Sequence, residues 1–83
     1  MYYVYILECS DSSLYTGITN NLEKRLKKHN SGKGAKYTRS RLPVKLLAFE
    51  PAIDRSAALK REIEIKKLTR EEKLEIINKV IWY

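Results

Sequence analysis

Cysteine is nearly absent from this chain: Cys9 stands alone among 83 residues. A single thiol excludes an internal disulfide and a thiolate zinc cluster, and it fits a reducing compartment, the cytoplasm. Glycine and proline are scarce, at three and two residues. No repeat or low-complexity tract appears, so the composition is that of a folded chain. Long hydrophobic runs are missing too. The longest near the N-terminus, YYVYIL at 2–7, is too short to span a bilayer and has no basic region before it, so no membrane segment is expected. Acidic residues number ten against seventeen lysines and arginines, a net charge of +7. That excess favours polyanions, nucleic acids and anionic surfaces alike. At 83 residues there is room for one domain, spanning 1–83, with a thin core.

What the sequence does contain reads as ββαβαα. Residues 2–9, YYVYILEC, are aromatic and β-branched and stop at the turn-forming SDS, which marks a strand. SLYTGIT at 13–19 is its hairpin partner. Asn20 with Glu23 has capping-box spacing and Gly32 a stop, giving a helix over about 21–31. A basic loop, GKGAKYTRSRLP, follows. VKLLAFE at 44–50 is a third strand, closed by Pro51. Asp54 caps a helix over about 55–67, and Thr69 with Glu72 opens another to about 79. Three strands with helices segregated in sequence predict an α+β fold, a three-stranded antiparallel sheet with flanking helices.

The hairpin allows a finer expectation. With SDS as a three-residue loop, Leu7 faces Tyr15 and Tyr5 faces Gly17. Tyr5 and Tyr15 then project from one face as diagonal neighbours, roughly 7–8 Å apart. Gly17 adds no side chain opposite Tyr5 and leaves an open spot between the two phenols. A loop of two or four residues would separate the tyrosines onto opposite faces. The three-residue loop asks for a left-handed residue at its last position, which is Ser12.

Several side chains sit oddly for a purely structural chain. Leu22 and Leu26 mark the buried stripe of the first helix. Arg25 and His29, an i, i+4 pair, flank it, while Lys24, Lys27 and Lys28 take the solvated side. Alone, Arg25 reads as a snorkelling side chain and His29 as a satisfied core histidine. Beside a two-tyrosine face, Arg25 suits a phosphate contact and His29 suits proton transfer. In SAALKREIEIKKL the residues Ala58, Leu59, Ile63 and Ile65 mark a buried side that includes Glu62, whereas Glu64 faces solvent. A carboxylate among apolar residues needs a partner, either a basic side chain or a cation. One carboxylate completed by water and phosphate oxygens suits Mg²⁺. In the basic loop Lys33, Lys36, Arg39 and Arg41 surround Tyr37, which reads either as a solvated loop or as cations and a stacking ring for flexible nucleic acid.

Taken in order, these residues resemble the GIY-YIG nuclease family. Its first motif falls on Tyr3-Val4-Tyr5, its second on Tyr15-Thr16-Gly17. The helix arginine falls on Arg25, the following histidine or tyrosine on His29 and the metal-binding glutamate on Glu62. The likeness covers nearly the whole chain and is nearest to small stand-alone bacterial members, in which NSGKGAKYTR and RE before IKKL are familiar. The first motif's glycine is Tyr3 here. Larger members carry a later asparagine, for which Asn78 is the counterpart.

The resemblance implies a phosphodiester-hydrolysing endonuclease acting on nucleic acid, DNA favoured over RNA, with one divalent ion, Mg²⁺ or Mn²⁺, on Glu62. Tyr5, or Tyr15, would deprotonate or position the attacking water, its pKa lowered by nearby cations. His29 would relay the proton and Arg25 would stabilise charge on the phosphate. Two other readings compete. One is a nucleic-acid-binding module with weak or no catalysis, which needs exposed tyrosines and gains nothing from Glu62. The other is an interaction module docking through the terminal VIWY. A domain of this size would take its targeting from nucleic-acid structure, a protein partner or a dimer.

Overall fold

The computed structural model describes residues 1–79, so the VIWY segment proposed for docking lies outside the described residues. The elements run β1 (Tyr2–Glu8), β2 (Leu14–Thr19), α1 (Leu22–Asn30), α2 (Lys36–Arg39), β3 (Lys45–Ala52), α3 (Arg55–Lys66) and α4 (Arg70–Lys79). The sheet is antiparallel in the order β2-β1-β3, an α+β architecture as expected. Among the described residues no helix is long and apolar enough to cross a membrane.

The hairpin takes the three-residue loop. Cys9 N donates to Ser13 O at 2.9 Å, and Ser12 adopts the left-handed conformation with φ 67°. The register pairs Leu7 with Tyr15 and Tyr5 with Gly17, so both tyrosines share a face. Because β1 is central, its two faces are both covered. Val4 and Ile6 pack with Ala48, Ala58, Ile65 and Ile77 beneath α3 and α4. Tyr5 and Leu7 pack with Cys9, Val44, Leu22 and Leu26 beneath α1.

Four sequence expectations shift. The cap of α1 is Asn21, whose side chain accepts from Lys24 N, instead of Asn20; Thr19 Oγ1 accepts from Asn21 N at 3.1 Å and holds Asn20 outside the helix. The basic loop contains the single-turn helix α2, too short to show a periodicity. Strand β3 continues past Pro51 to Ala52, which an edge strand tolerates because the missing N–H faces away from the ladder. Ile63 is 53% exposed, since the buried stripe of α3 runs through Ala58, Glu62 and Ile65 at helical spacing and leaves Ile63 to one side.

Other boundaries follow the expected chemistry. Asp54 Oδ1 accepts from Ala57 N at 2.8 Å. Thr69 and Glu72 form a reciprocal capping box, each side chain accepting from the other's backbone N–H. Gly32, at φ 81°, ends α1 in a Schellman arrangement: its N–H reaches His29 O and that of Lys33 reaches Lys28 O. That ending turns the chain back over the first helix and brings α2 against His29.

Candidate active site

Strand β1 delivers Tyr5, β2 delivers Tyr15 and Gly17, and α1 delivers Arg25 and His29 to one place. The rings of Tyr5 and Tyr15 lie 6.4 Å apart, and that of His29 lies 6.0 Å from Tyr5 and 5.4 Å from Tyr15. The spot opposite Tyr5 is not open. A Cβ at Gly17 would stand 2.6 Å from Tyr5 Oη, so the missing side chain lets the phenol occupy that space. Glycine is needed here for close approach, not for an unusual backbone angle.

A directed chain of hydrogen bonds runs through the centre. The hydroxyl of Thr38 donates to Ala35 O at 3.0 Å, so its oxygen is left to accept from His29 Nδ1–H at 2.8 Å. With its proton on Nδ1, the imidazole turns a lone pair at Nε2 towards Tyr5 Oη, 2.9 Å away, and the phenol donates to it. Arg25 Nε donates to the same Oη at 3.3 Å. The sequence placed His29 at an edge; the structure buries it completely, and Thr38 with it. Thr38 and Gly34 were missed by sequence reading. A side chain at Gly34 would collide with the His29 ring. Neither residue stands out in sequence, because both act through a partner brought to them by the turn after α1.

The pKa values correct one expectation. Burial raises Tyr5 above the ordinary phenol value, and Glu62 and Tyr15 add to this; the Arg25 hydrogen bond and charge oppose burial without overcoming it. Cations therefore do not make Tyr5 a resident phenolate. Burial, helped by the Arg25 charge, pushes His29 down to about 4, so the imidazole is neutral at pH 7.

This depression has a stability consequence of known sign. Unfolded histidine takes up its proton near pH 6.5, while folded His29 does so only near 4. Between those values the unfolded state binds more protons, so stability falls as pH falls. The full effect is about 3 kcal/mol, present above about pH 6.5 and lost by about pH 4. Urea unfolding across that window, for the parent and for His29→Gln, is expected to show the extra acid sensitivity in the parent alone. Equal acid sensitivity would mean that carboxylates carry it all.

Glu62 lies on α3 with its side chain 16% exposed and its carboxylate 3.3 Å from Lys66 Nζ. Its negative charge is felt at Tyr5, where it adds slightly to the upward shift of the phenol. The described residues contain no cluster of three or more histidine, cysteine or acidic side chains suited to a metal. A single carboxylate of this kind fits a hard divalent ion that keeps water ligands and shares phosphate oxygens. Its nearby ammonium belongs to a half-exposed lysine that can move aside.

The basic segment divides. Lys33, Lys36 and Arg39 are exposed around α2. Arg41 is already engaged: it pairs with Asp11 at 3.1 Å, donates to Tyr37 O at 2.7 Å and lies over the Tyr37 ring at 3.9 Å. Tyr37 in turn stacks on Tyr15, the ring centroids 6.1 Å apart. Arg41 thus braces Tyr37 as well as carrying the charge expected of the basic segment. Asn78 is exposed near the end of α4 and makes no side-chain hydrogen bond among the described residues, so nothing joins it to the tyrosine centre. Tyr3, at the first motif's glycine position, packs edge-on against Phe49 with centroids 5.8 Å apart.

Comparison with known proteins identifies the family. The GIY-YIG catalytic domain model matches residues 1–75. The chain is 63% identical over 78 residues to a UPF0213 protein of Clostridium perfringens, covering 94% of this chain and 84% of that protein. A UPF0213 protein of Haloquadratum walsbyi is 60% identical over 75 residues, covering 90% of this chain and 84% of the relative. The solution NMR structure of a UPF0213 protein from Bacillus halodurans is similar with a TM-score of 0.60 at 48% identity, over 94% of this chain and 84% of that one.

Proposed function

The chain belongs to the GIY-YIG family, and from that premise we propose that it is a divalent-ion-dependent endonuclease hydrolysing phosphodiester bonds, DNA before RNA. The observation that carries this reading is the aligned chain Thr38–His29–Tyr5, with Arg25 on the same phenol oxygen. A buried imidazole whose Nε2 lone pair meets a phenol, with a guanidinium on the same oxygen, is an arrangement suited to proton transfer. The family fold is of the nuclease type, and its substrate is nucleic acid.

The residues perform proton transfer and charge stabilisation. Tyr5 Oη receives a proton from the attacking water while its own proton passes to His29 Nε2. The raised phenol pKa makes this relay preferable to a standing phenolate. Thr38 holds the His29 ring and fixes the proton on Nδ1, so Nε2 is the only open acceptor. Arg25, fixed against Oη through Nε, directs its remaining guanidinium N–H groups to the phosphate oxygens as their charge grows. Glu62 would hold the divalent ion, which supplies polarisation of the phosphate and stabilisation of the leaving oxygen. In this reading the target is chosen by nucleic-acid structure, a partner protein or dimerisation.

The binding-module alternative needs Tyr5 exposed for stacking, whereas its side chain is 2% exposed. The test is incubation of purified protein with supercoiled plasmid, single-stranded DNA and structured RNA, with Mg²⁺ or Mn²⁺ and with EDTA. Ion-dependent cleavage of DNA is expected. Binding without cleavage under every condition overturns the enzyme reading.

A further inference from the structure

Beyond the tyrosine centre, a groove of about 300 Å³ runs beside edge strand β2, lined by Leu14, Tyr15, Thr16, Tyr37, Lys66 and Lys73. Its two walls differ in chemistry. One is aromatic: Tyr37, 39% exposed, stacked on Tyr15 and braced by Arg41. The other is basic, built from the last residue of α3 and from α4. Between them lies Thr16, 3% exposed, whose hydroxyl has no partner among the described residues. A buried hydroxyl without a partner is costly, and a ligand in the groove is one way to satisfy it.

Both walls continue into the candidate active site. Tyr15 touches the groove on one side and the Tyr5 and His29 rings on the other. Lys66 lines the groove while its ammonium sits on the Glu62 carboxylate. Tyr15 and Lys66 thus put the groove next to the neighbours of the candidate active site.

We propose that this groove carries an unpaired nucleic-acid strand into the tyrosine centre, with Lys66 and Lys73 holding its phosphates and Tyr37 taking a base by stacking. The proposal rests on the nuclease reading for its direction, and names the substrate as single-stranded or locally unpaired DNA. A duplex keeps its base faces in its own stack and presents phosphates, sugars and base edges, so an aromatic wall opposite a basic one is matched to a strand whose base faces are free.

The measurement is fluorescence anisotropy with a labelled oligodeoxynucleotide and its duplex, in EDTA so that no cleavage occurs. The proteins are the parent, Lys66→Gln with Lys73→Gln, Tyr37→Leu, and a charge control, Lys24→Gln with Lys27→Gln on the solvated side of α1. The groove pair is expected to lose about tenfold or more in affinity for the single strand beyond the control, with no more loss than the control on duplex. Tyr37→Leu, which leaves the charge unchanged, is expected to weaken the single strand alone. Equal losses on strand and duplex, or losses no greater than the control, overturn the proposal. Because the assay is independent of catalysis, absence of cleavage by the parent would count against the nuclease reading only.

Discussion

Tyr5→Phe is expected to lower the rate of DNA cleavage by about two to four orders of magnitude, the range for a positioned acid–base group, while the fold persists. Phenylalanine fills the same buried space between Gly17 and α1. What is lost is one oxygen, and with it the partner of His29 Nε2 and of Arg25 Nε. Leaving the imidazole acceptor unsatisfied costs about 1–3 kcal/mol of stability, which thermal unfolding will register. Tyr15→Phe is the informative companion. Tyr15 interacts with the Arg25 guanidinium but makes no side-chain hydrogen bond to Tyr5 or His29 among the described residues, so its loss is expected to be smaller. A tolerated Tyr5→Phe beside a dead Tyr15→Phe would exchange the roles. The pH profile sharpens the test. A relay through neutral His29 predicts an acid limb set by His29 and a flat rate through neutrality, whereas a resident phenolate predicts a rate that climbs with pH.

Much of this centre was legible in the sequence because its logic is local. The three-residue loop fixes hairpin parity, and parity alone places Tyr5 and Tyr15 on one face opposite Gly17. Helical spacing puts Arg25 and His29 on the edge that meets that face. The Thr69–Glu72 box and the Asp54 cap were readable for the same reason: each is a contact across three residues. The misread parts are those decided by distant contacts. Nothing near His29 in sequence announces that Thr38 will fix its tautomer, or that Gly34 must lack a side chain to lie against its ring. Nothing near Arg41 in sequence announces its pairing with Asp11 from the hairpin loop. The sign of the Tyr5 shift was misjudged because adjacency to Arg25 was visible in the sequence and the depth of burial was not. Pro51 and Ile63 were misjudged for a simpler reason: edge position and helix phase depend on which neighbours arrive.

Glu62→Gln is expected to remove divalent-ion dependence and cleavage together, with little change in folding. The stability argument is specific. Glu62 pairs with Lys66, an i, i+4 neighbour whose side chain is 52% exposed, and pairs of this kind contribute less than about 1 kcal/mol. Glutamine keeps the size and hydrogen-bonding capacity of the side chain at the edge of the buried stripe, so the packing of Ala58 and Ile65 against the sheet is untouched. The carboxylate charge is what disappears, and with it a hard anionic ligand for the ion. Three readouts separate the roles. Mn²⁺ titration followed by paramagnetic broadening of the tyrosine and His29 resonances should show local broadening in the parent and none in the variant. The melting temperature should stay within a few degrees of the parent. The Tyr5 phenol should titrate lower in the variant, because the Glu62 charge is one of the influences holding it up. If the variant unfolds, Glu62 serves the structure. If it folds and still broadens with Mn²⁺, the ion sits elsewhere and Glu62 acts on the site only through its charge.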